Sequence, residues 1–134
     1  MRVVIMGCGR IGARAAELLD AAGHEVTILD EDGSAFDRLS PQYRGRAVVG
    51  SGIDEDVLRQ ANVAEADVFV ALTNGDNTNI MAAQVAKLAF GVPHVICQVK
   101  DPIRGESYKG LGITAICPTQ VGVDAVRSEL VGMI

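Results

Sequence analysis

The chain has few aromatic residues, no tryptophan and no excess of positive charge. Aromatic residues make up 4% of its 134 residues, and the formal net charge at pH 7 is −5. Proteins that bind nucleic acids use basic stripes to contact the phosphate backbone and aromatic side chains to stack on the bases. The composition therefore argues against nucleic-acid binding.

Long apolar runs and paired cysteines are also missing. No run approaches the roughly 20 residues of a membrane-spanning helix. Because the first apolar strand begins within two residues of Met1, we expect no secretion signal. Cys8, Cys97 and Cys117 are scattered without a CxxC pair, as is typical of proteins in a reducing cytoplasm. Neither His24 nor His94 belongs to a metal-ligand pattern. We expect a cytoplasmic protein that is not embedded in the membrane and has no disulfide framework or metal site.

What the chain does have is a glycine-rich loop between an apolar run and a helical pattern. The loop, Gly-Cys-Gly-Arg-Ile-Gly, spans residues 7–12 and directly follows the apolar residues 3–6. A second apolar run over 26–29 ends in Asp30. Strand, glycine loop, helix, strand and terminal acid in this order form the dinucleotide-binding fingerprint. Because the packing of a strand-helix-strand unit does not by itself require Asp30, the sequence predicts a bound ligand.

Each position of this fingerprint has a physical role. Gly7 allows the tight turn out of the strand, Gly9 lets a pyrophosphate approach the backbone, and Gly12 lets the helix pack closely on the sheet. The free N–H groups and the positive dipole end of the helix then face the anion. Asp30 offers acceptor oxygens to a ribose diol and repels a 2′-phosphate, so we expect NAD or adenosine nucleotides to be favoured over NADP.

The rest of the chain alternates between strand and helix patterns. The apolar runs are nearly continuous, which is typical of strands covered on both faces in a parallel sheet. Strands are predicted at 2–6, 25–29, 46–49, 67–72, 94–99 and 114–117. Helices are predicted at 11–22, 33–39, 54–61, 77–90, 103–110 and 119–132. With right-handed crossovers this pattern predicts an α/β fold, namely a three-layer, Rossmann-type doubly wound parallel sheet with strand order 3-2-1-4-5-6.

The predicted nucleotide fold uses the whole of residues 1–134, so we expect one domain. A dehydrogenase normally adds a substrate domain that carries its acid–base groups, and the sequence has no placed Ser/His/Asp, Cys/His or paired-carboxylate set. We therefore interpret the chain as a nucleotide-binding module and not as an enzyme. The alternative is the nucleotide-binding domain of an NAD-dependent oxidoreductase whose catalytic part lies elsewhere.

Four segments extend the pattern beyond the glycine loop, at 1–32, 48–79, 95–102 and 111–119. Together they resemble the N-terminal regulatory domain of the Trk/Ktr potassium-uptake systems, also called the TrkA N-terminal, KTN or RCK domain. The resemblance implies a cytoplasmic gating subunit that senses NAD(H) or ATP/ADP. It further implies a homo-oligomer, either a dimer or a larger ring, held at the inner face of the membrane by a potassium-translocating subunit.

The resemblance also assigns ligand roles to individual residues. With Gly12 of the fingerprint, the candidate nucleotide-binding positions are Gly7, Cys8, Gly9, Arg10, Ile11, Gly12, Asp30, Glu31, Ser51, Gly52, Ile53, Thr73, Asn74 and Gln98. Arg10 matches the loop arginine of the family, which is suited to outer phosphates. Asp30 matches the ribose-binding acid, residues 51–53 match the loop beside the adenine, and residues 73–74 match the loop that reaches the phosphates or the second ribose.

The chain departs from the family pattern in three places. Gln98 stands where the family often has a basic residue, and a glutamine can hydrogen-bond a nucleotide but cannot neutralise a phosphate. Thr119 stands where the family commonly has a glutamate. The second, C-terminal ligand lobe of many relatives is absent, which fits either a short stand-alone subunit or a piece of a longer protein.

Apolar residues in the last predicted helix point to assembly. Val123, Val126, Leu130 and Met133 form an apolar stripe, and helix 77–90 is apolar around much of its circumference. Helices of this kind bury more than one face or leave an apolar patch exposed. We expect the segment 119–134 to lie at a subunit interface, with folding of the tail back onto its own domain as the alternative.

Overall fold

The computed structural model describes residues 1–101 and 112–133 of the chain. Six strands are present in these residues: β1 Arg2–Met6, β2 Glu25–Asp30, β3 Arg46–Val49, β4 Val68–Ala71, β5 His94–Gln98 and β6 Ile113–Ile116. The α-helices are α1 Arg10–Ala21, α2 Glu55–Gln60, α3 Asp76–Gln84 and α4 Pro118–Leu130. Short 3-10 helices cover Gly33–Arg38 and Val63–Glu65, and a π-helical segment, Val85–Ala89, continues α3. The helix predicted at 103–110 lies outside the described residues.

The six strands form one parallel sheet in the order β3-β2-β1-β4-β5-β6, which confirms the predicted Rossmann order. The chain leaves β1 toward β2 on one side and returns at β4 on the other. Met6, at the end of β1, is in register with Leu29 of β2 and Ala71 of β4. The three strands therefore end at one edge, and the loops that follow them diverge around the switch point where ligands bind in such sheets.

The core consists of two apolar layers, one on each face of the sheet. Alternate residues of β1 enter different layers: Ile5 packs with the α1 side, whereas Met6 packs with the side of α2 and α3. Phe69 and Leu58 are fully buried in the second layer. Strands with both faces covered are continuous apolar runs, and this is why the sequence pattern located them correctly.

Two predicted helices differ from the structure in their type. Residues 33–38 form a 3-10 helix, which begins where the Asp32 carboxylate accepts the Ser34 N–H at 2.9 Å. The predicted helix 77–90 has nearly the right extent, but its last turn is π-helical and ends where Phe90 N–H donates to the Val85 carbonyl. Both differences concern hydrogen-bond spacing, which apolar periodicity does not resolve.

The helix α4 contributes no buried residue to the domain. Its apolar stripe is exposed, with Val123 at 48% and Val126 at 60% of full exposure, and Met133 beyond the helix end is exposed as well. The described residues thus leave this stripe uncovered by their own domain. Within residues 1–101 and 112–133, no helix combines the length and apolar character needed to cross a membrane.

Candidate nucleotide site at the carboxyl edge of the sheet

A cavity of about 370 Å³ opens at the carboxyl ends of β1, β2, β3 and β4. Eight of the predicted ligand residues line it: Gly7, Cys8, Gly9, Asp30, Glu31, Gly52, Thr73 and Asn74. They come from four loops that are far apart in sequence, and the parallel register brings them together. Six other predicted residues do not line the cavity: Arg10, Ile11, Gly12, Ser51, Ile53 and Gln98.

Two glycines of the loop are required by the protein's own packing. Gly7 has φ +106°, and a Cβ there would lie 2.7 Å from the carbonyl of Leu72. A Cβ on Gly12 would lie 1.8 Å from the Gly7 carbonyl oxygen. Gly12 is buried with Ala13 in α1, so small side chains let this helix approach the sheet closely.

Gly9 is different, because nothing in residues 1–101 and 112–133 requires a glycine there. Its φ of −86° and ψ of −163° are ordinary extended values, and a Cβ at this position would meet nothing within 4 Å. Gly9 is the N-cap of α1, a position where a serine or aspartate would cap the helix better. The space beside Gly9 belongs to the cavity, so the missing side chain leaves room for a ligand at the helix N-terminus.

Asp30 holds the glycine loop in place. Its Oδ2 accepts the Cys8 N–H at 2.8 Å, and its Oδ1 accepts the Asp32 N–H at 2.9 Å. Each carboxylate oxygen keeps a second lone pair, so Asp30 can also accept hydrogen bonds from a ribose diol. The residue therefore combines a position at the cavity with a structural role that the sequence did not indicate.

Arg38 is a cavity residue that sequence reasoning missed. The 3-10 helix carries both Ala35 and Arg38 to the cavity, and Arg38 Nη1 donates to the Cys8 carbonyl oxygen at 3.2 Å. Arg10, the arginine expected at the phosphates, is exposed at the start of α1 and does not line the cavity. The available sequence signal was the i, i+3 spacing of Ala35 and Arg38 in a segment correctly predicted to be helical.

Cys8, a residue of the glycine loop, is fully buried in the core layer on the α1 side of the sheet. Burial raises its pKa, and the nearby Asp30 carboxylate raises it further. The pKa of the Asp32 carboxyl is lowered, chiefly because the carboxylate accepts hydrogen bonds from the Ser34 hydroxyl and N–H. Near neutral pH this part of the site therefore presents a neutral thiol and an ionised carboxylate.

A buried amide fixes the loop after β4. Asn79 of α3 accepts the Thr73 N–H at 2.9 Å and donates to the carbonyls of Thr73 at 2.9 Å and Gln98 at 3.0 Å. Gln98 Nε2 in turn donates to the Thr73 carbonyl at 3.2 Å. Gln98 is 4% exposed and its amide is used to hold the Thr73 loop, so it lies behind the ligand-facing residues.

The end of β5 is tied to the same loop. The Asp76 carboxylate accepts the Lys100 N–H at 2.8 Å, and Lys100 Nζ lies 3.4 Å from the Asn74 side-chain oxygen. The Asp76 carboxylate therefore links the start of α3 to the residues after β5, and the N-cap of α3 is Gly75. The Asp101 N–H also donates to the Asp76 carboxylate, at 3.3 Å, so these contacts connect the loop after β4 to the residues that follow β5.

A second cavity, of about 400 Å³, lies at the opposite, amino edge of the sheet. Its charged side chains include Arg2, which forms ion pairs with Glu25 at 3.0 Å and Glu65 at 2.9 Å. Ligands of parallel α/β sheets bind at the carboxyl edge, and Arg2 at this amino edge is already paired with two carboxylates of the protein. The cavity at the glycine loop is therefore the candidate site. The described residues contain no cluster of three His, Cys, Asp or Glu side chains that could hold a metal ion.

The strand order, the glycine loop and the acid at the end of β2 together define a Rossmann-type α/β domain. The family model of the TrkA-N domain matches residues 3–118. The chain belongs to this family.

Curated relatives with this domain are potassium-uptake proteins. The chain is 43% identical over 130 residues to the Trk system potassium uptake protein TrkA of Streptomyces coelicolor, covering 97% of this chain and 58% of that protein. It is 34% identical over 113 residues to a TrkA homolog of Methanothermobacter thermautotrophicus, covering 84% of this chain and 52% of that protein. The chain thus spans little more than half the length of these relatives.

Solved structures share the fold at low sequence identity. The TrkA-N domain of the inner membrane protein ybaL from Escherichia coli has a TM-score of 0.83 at 17% identity and covers 96% of both chains. The Shewanella denitrificans Kef CTD in its AMP-bound form has a TM-score of 0.78 at 22% identity, covering 98% of this chain and 82% of that one. At these identities the similarity establishes the fold alone.

Proposed function

We propose that the chain is the nucleotide-sensing regulatory domain of a Trk-type potassium-uptake system and that it binds NAD(H) or ATP/ADP at the glycine-loop cavity. The observation that carries nucleotide binding is Gly9, whose missing side chain the protein's own packing does not explain. A phosphate group fits there because the helix N-terminus offers N–H donors and a positive dipole end. The regulatory role is supported by the names of the relatives, which are potassium-uptake proteins.

In this proposal, different residues around the cavity contact different parts of the ligand. The N–H groups at Gly9 and the start of α1 face the phosphates, and the Asp30 carboxylate accepts from a ribose diol. The loop at Gly52 lies on the adenine side, while Thr73 and Asn74 reach the phosphates or a second ribose. Asp30, Glu31 and Asp32 disfavour an added 2′-phosphate because like charges repel. We therefore assign NAD(H) or ATP/ADP, and not NADP, to this site.

The proposed partner is a potassium-translocating membrane subunit, with the domain on the cytoplasmic side. The exposed apolar stripe of α4 supports assembly of several copies, because an uncovered apolar helix face is typical of an interaction surface. A nucleotide that favours one arrangement of the copies would pass its signal to the transporter through differential contacts. In this scheme the domain regulates transport and catalyses no reaction.

A direct test is calorimetric titration of the purified chain with NAD, NADH, ATP, ADP and NADP. We expect micromolar-range binding of at least one adenine nucleotide and, from a single unfavourable charge contact, at least about tenfold weaker binding of NADP than of NAD. Gly9→Val should abolish this binding without unfolding the chain, because its side chain enters open space with permitted backbone angles. Gly122→Val is the matched control, since a Cβ there also meets nothing within 4 Å and the residue lies on α4.

Two results would decide against the proposal. Absence of nucleotide binding by the wild type would remove the sensing function, and unchanged binding by Gly9→Val would move the ligand away from the loop. Some structures that share the fold are enzymes, such as Bordetella bronchiseptica WbmG in complex with NAD, with a TM-score of 0.60 over 73% of this chain. Reproducible oxidation of a substrate by the chain with NAD would therefore favour the oxidoreductase alternative.

A further inference from the structure

The charge of the candidate site is unusual for a cavity that receives an anion. Three acidic side chains line it, those of Asp30, Glu31 and Asp32, and Arg38 is the cationic side chain among its lining residues. A nucleotide phosphate that enters this cavity meets a net negative field unless a positive charge offsets it. Arg10, the loop arginine expected at the phosphates, is exposed at the start of α1 and does not line the cavity.

The backbone of Cys8 is held from both sides by charged groups. Asp30 Oδ2 accepts its N–H at 2.8 Å, and Arg38 Nη1 donates to its carbonyl oxygen at 3.2 Å. Cys8 precedes Gly9, whose N–H lies at the phosphate side of the cavity. Arg38 and Asp30 therefore fix the orientation of the glycine loop before any ligand arrives, and a preorganised loop loses less free energy on binding.

One N–H of the Arg38 guanidinium donates to the Cys8 carbonyl oxygen, and the guanidinium has further donors. Within residues 1–101 and 112–133, the Cys8 carbonyl is the one hydrogen-bond partner of the Arg38 side chain. The 3-10 helix positions Arg38, and this helix begins at the Asp32 cap and ends at Arg38 itself. The remaining donors are thus held at the cavity wall, where a planar guanidinium can bind a phosphate oxygen.

We propose that Arg38 determines the selectivity of this site for phosphorylated ligands: it positions the glycine loop through the Cys8 carbonyl and supplies the positive charge that a nucleoside phosphate requires. This inference rests on the proposed function, because it concerns the same cavity. The ligand class is a nucleoside carrying at least one phosphate at its 5′ position. A neutral nucleoside has no charge for Arg38 to offset, so its binding depends little on this residue.

The experiment compares adenosine, AMP and ADP by calorimetry in wild type, Arg38→Gln and Arg38→Lys. Arg38→Gln should weaken the binding of AMP and ADP about tenfold, a free-energy difference of about 1.4 kcal/mol. The affinity for adenosine should change less than about twofold. Arg38→Lys keeps the charge and should recover part of the loss. Arg38→Gln should also make AMP affinity less dependent on salt, since exposed charge interactions are screened.

Arg44→Gln is the matched control, because it removes the same charge from an arginine that lines the cavity at the other edge of the sheet. It should leave all three affinities unchanged. If Arg38→Gln weakens the binding of adenosine and AMP equally, Arg38 has only a structural role. If it leaves AMP binding unchanged, Arg38 is not part of the site. If the wild type binds none of the three ligands, the proposed function fails with this inference; if the wild type binds and only the variant result disagrees, the proposed function stands.

Discussion

Single residues of this site carry more than one role, and Asp30 is the clearest case. Its carboxylate faces the cavity and also holds the glycine loop through the Cys8 N–H. In the proposed site, a substitution at Asp30 would therefore remove a ligand contact and would also loosen the glycine loop. Separating the two roles requires a variant that keeps an acceptor oxygen.

We expect Asp30→Ala to weaken adenine-nucleotide binding by about 1–3 kcal/mol, the scale of a hydrogen bond to a charged group. Asp30→Asn retains one acceptor oxygen and should lose less. Isothermal titration of both variants with NAD or ADP measures the difference. Wild-type affinity in Asp30→Ala would place the ribose elsewhere.

The three cysteines should differ in reactivity. Burial raises the pKa of Cys8 and raises that of Cys97 to about 11, so at pH 8 both thiols are mainly protonated as well as enclosed. Cys117 is partly exposed. We expect iodoacetamide at pH 8 to modify Cys117 first, with the other two reacting only on unfolding, as read by peptide mass spectrometry. Raising the pH toward 11 increases the thiolate fraction of Cys97, but burial should still limit its labelling in the folded protein. Labelling of Cys8 as fast as that of Cys117 would contradict the burial of the Cys8 thiol.

At the scale of single residues, the sequence predicted only part of the site. Gly7, Gly9 and Asp30 follow a pattern that depends on local backbone geometry, so their placement at the cavity could be read from spacing. Asn79 could not be found this way, and the spacing of Arg38 from Ala35 did not reveal what Arg38 contacts, because both roles depend on partners outside their own helices, 6 and 30 residues away. Gln98 was expected to face the ligand, but strand alternation alone does not reveal that its amide holds the Thr73 carbonyl.

At the scale of elements, α3 is the support of the loop after β4. Asn79 is fully buried on this helix and is bonded to both Thr73 and the Gln98 carbonyl. Such a network keeps the loop in one conformation because every polar group in it is satisfied. Removing the amide leaves buried backbone groups without partners.

We predict that Asn79→Ala lowers the free energy of unfolding by about 1–3 kcal/mol, the cost of leaving buried polar groups unsatisfied. Gln84→Ala on the same helix is the control and should change stability by less than about 0.5 kcal/mol, since Gln84 is partly exposed. Urea denaturation followed by circular dichroism measures both. Equal stability of the two variants would show that the network contributes little.

The element pattern was predicted more fully than the site. All six strands and the order of the sheet follow from continuous apolar runs and right-handed crossovers. The 3-10 segment Gly33–Arg38 and the π-helical segment Val85–Ala89 were predicted as ordinary helices. Apolar spacing does not distinguish these helix types, because they differ from an α-helix in the spacing of their backbone hydrogen bonds.

For the whole molecule, the exposed stripe of α4 makes self-association the main expectation. We predict that the wild type is at least a dimer and that Leu130→Glu with Met133→Glu shifts it toward monomer, because the charges would have to be buried in the contact. Nucleotide affinity should fall only modestly, since the cavity is built within one copy. Light scattering at matched concentrations measures the change.

The control for this experiment adds the same charge to the polar face of α4, as Gln120→Glu with Ser128→Glu. It should leave the oligomer intact, although both side chains have local hydrogen bonds on the helix. A monomeric wild type would contradict the interface and with it the proposed transmission of the nucleotide signal between copies.

The strand order also determines when each strand can join the sheet during synthesis. The strand β1 can pair with β2, and β2 with β3, once residue 49 is available, but the other edge of β1 waits for β4 at residues 68–71. At 5–20 residues per second, the intervening 22 residues take about 1–4 s. During that time an apolar strand edge is open to pairing with other chains. Substitutions that weaken β4, such as a polar residue at Phe69, should therefore reduce the yield of folded protein through aggregation more than their effect on final stability predicts.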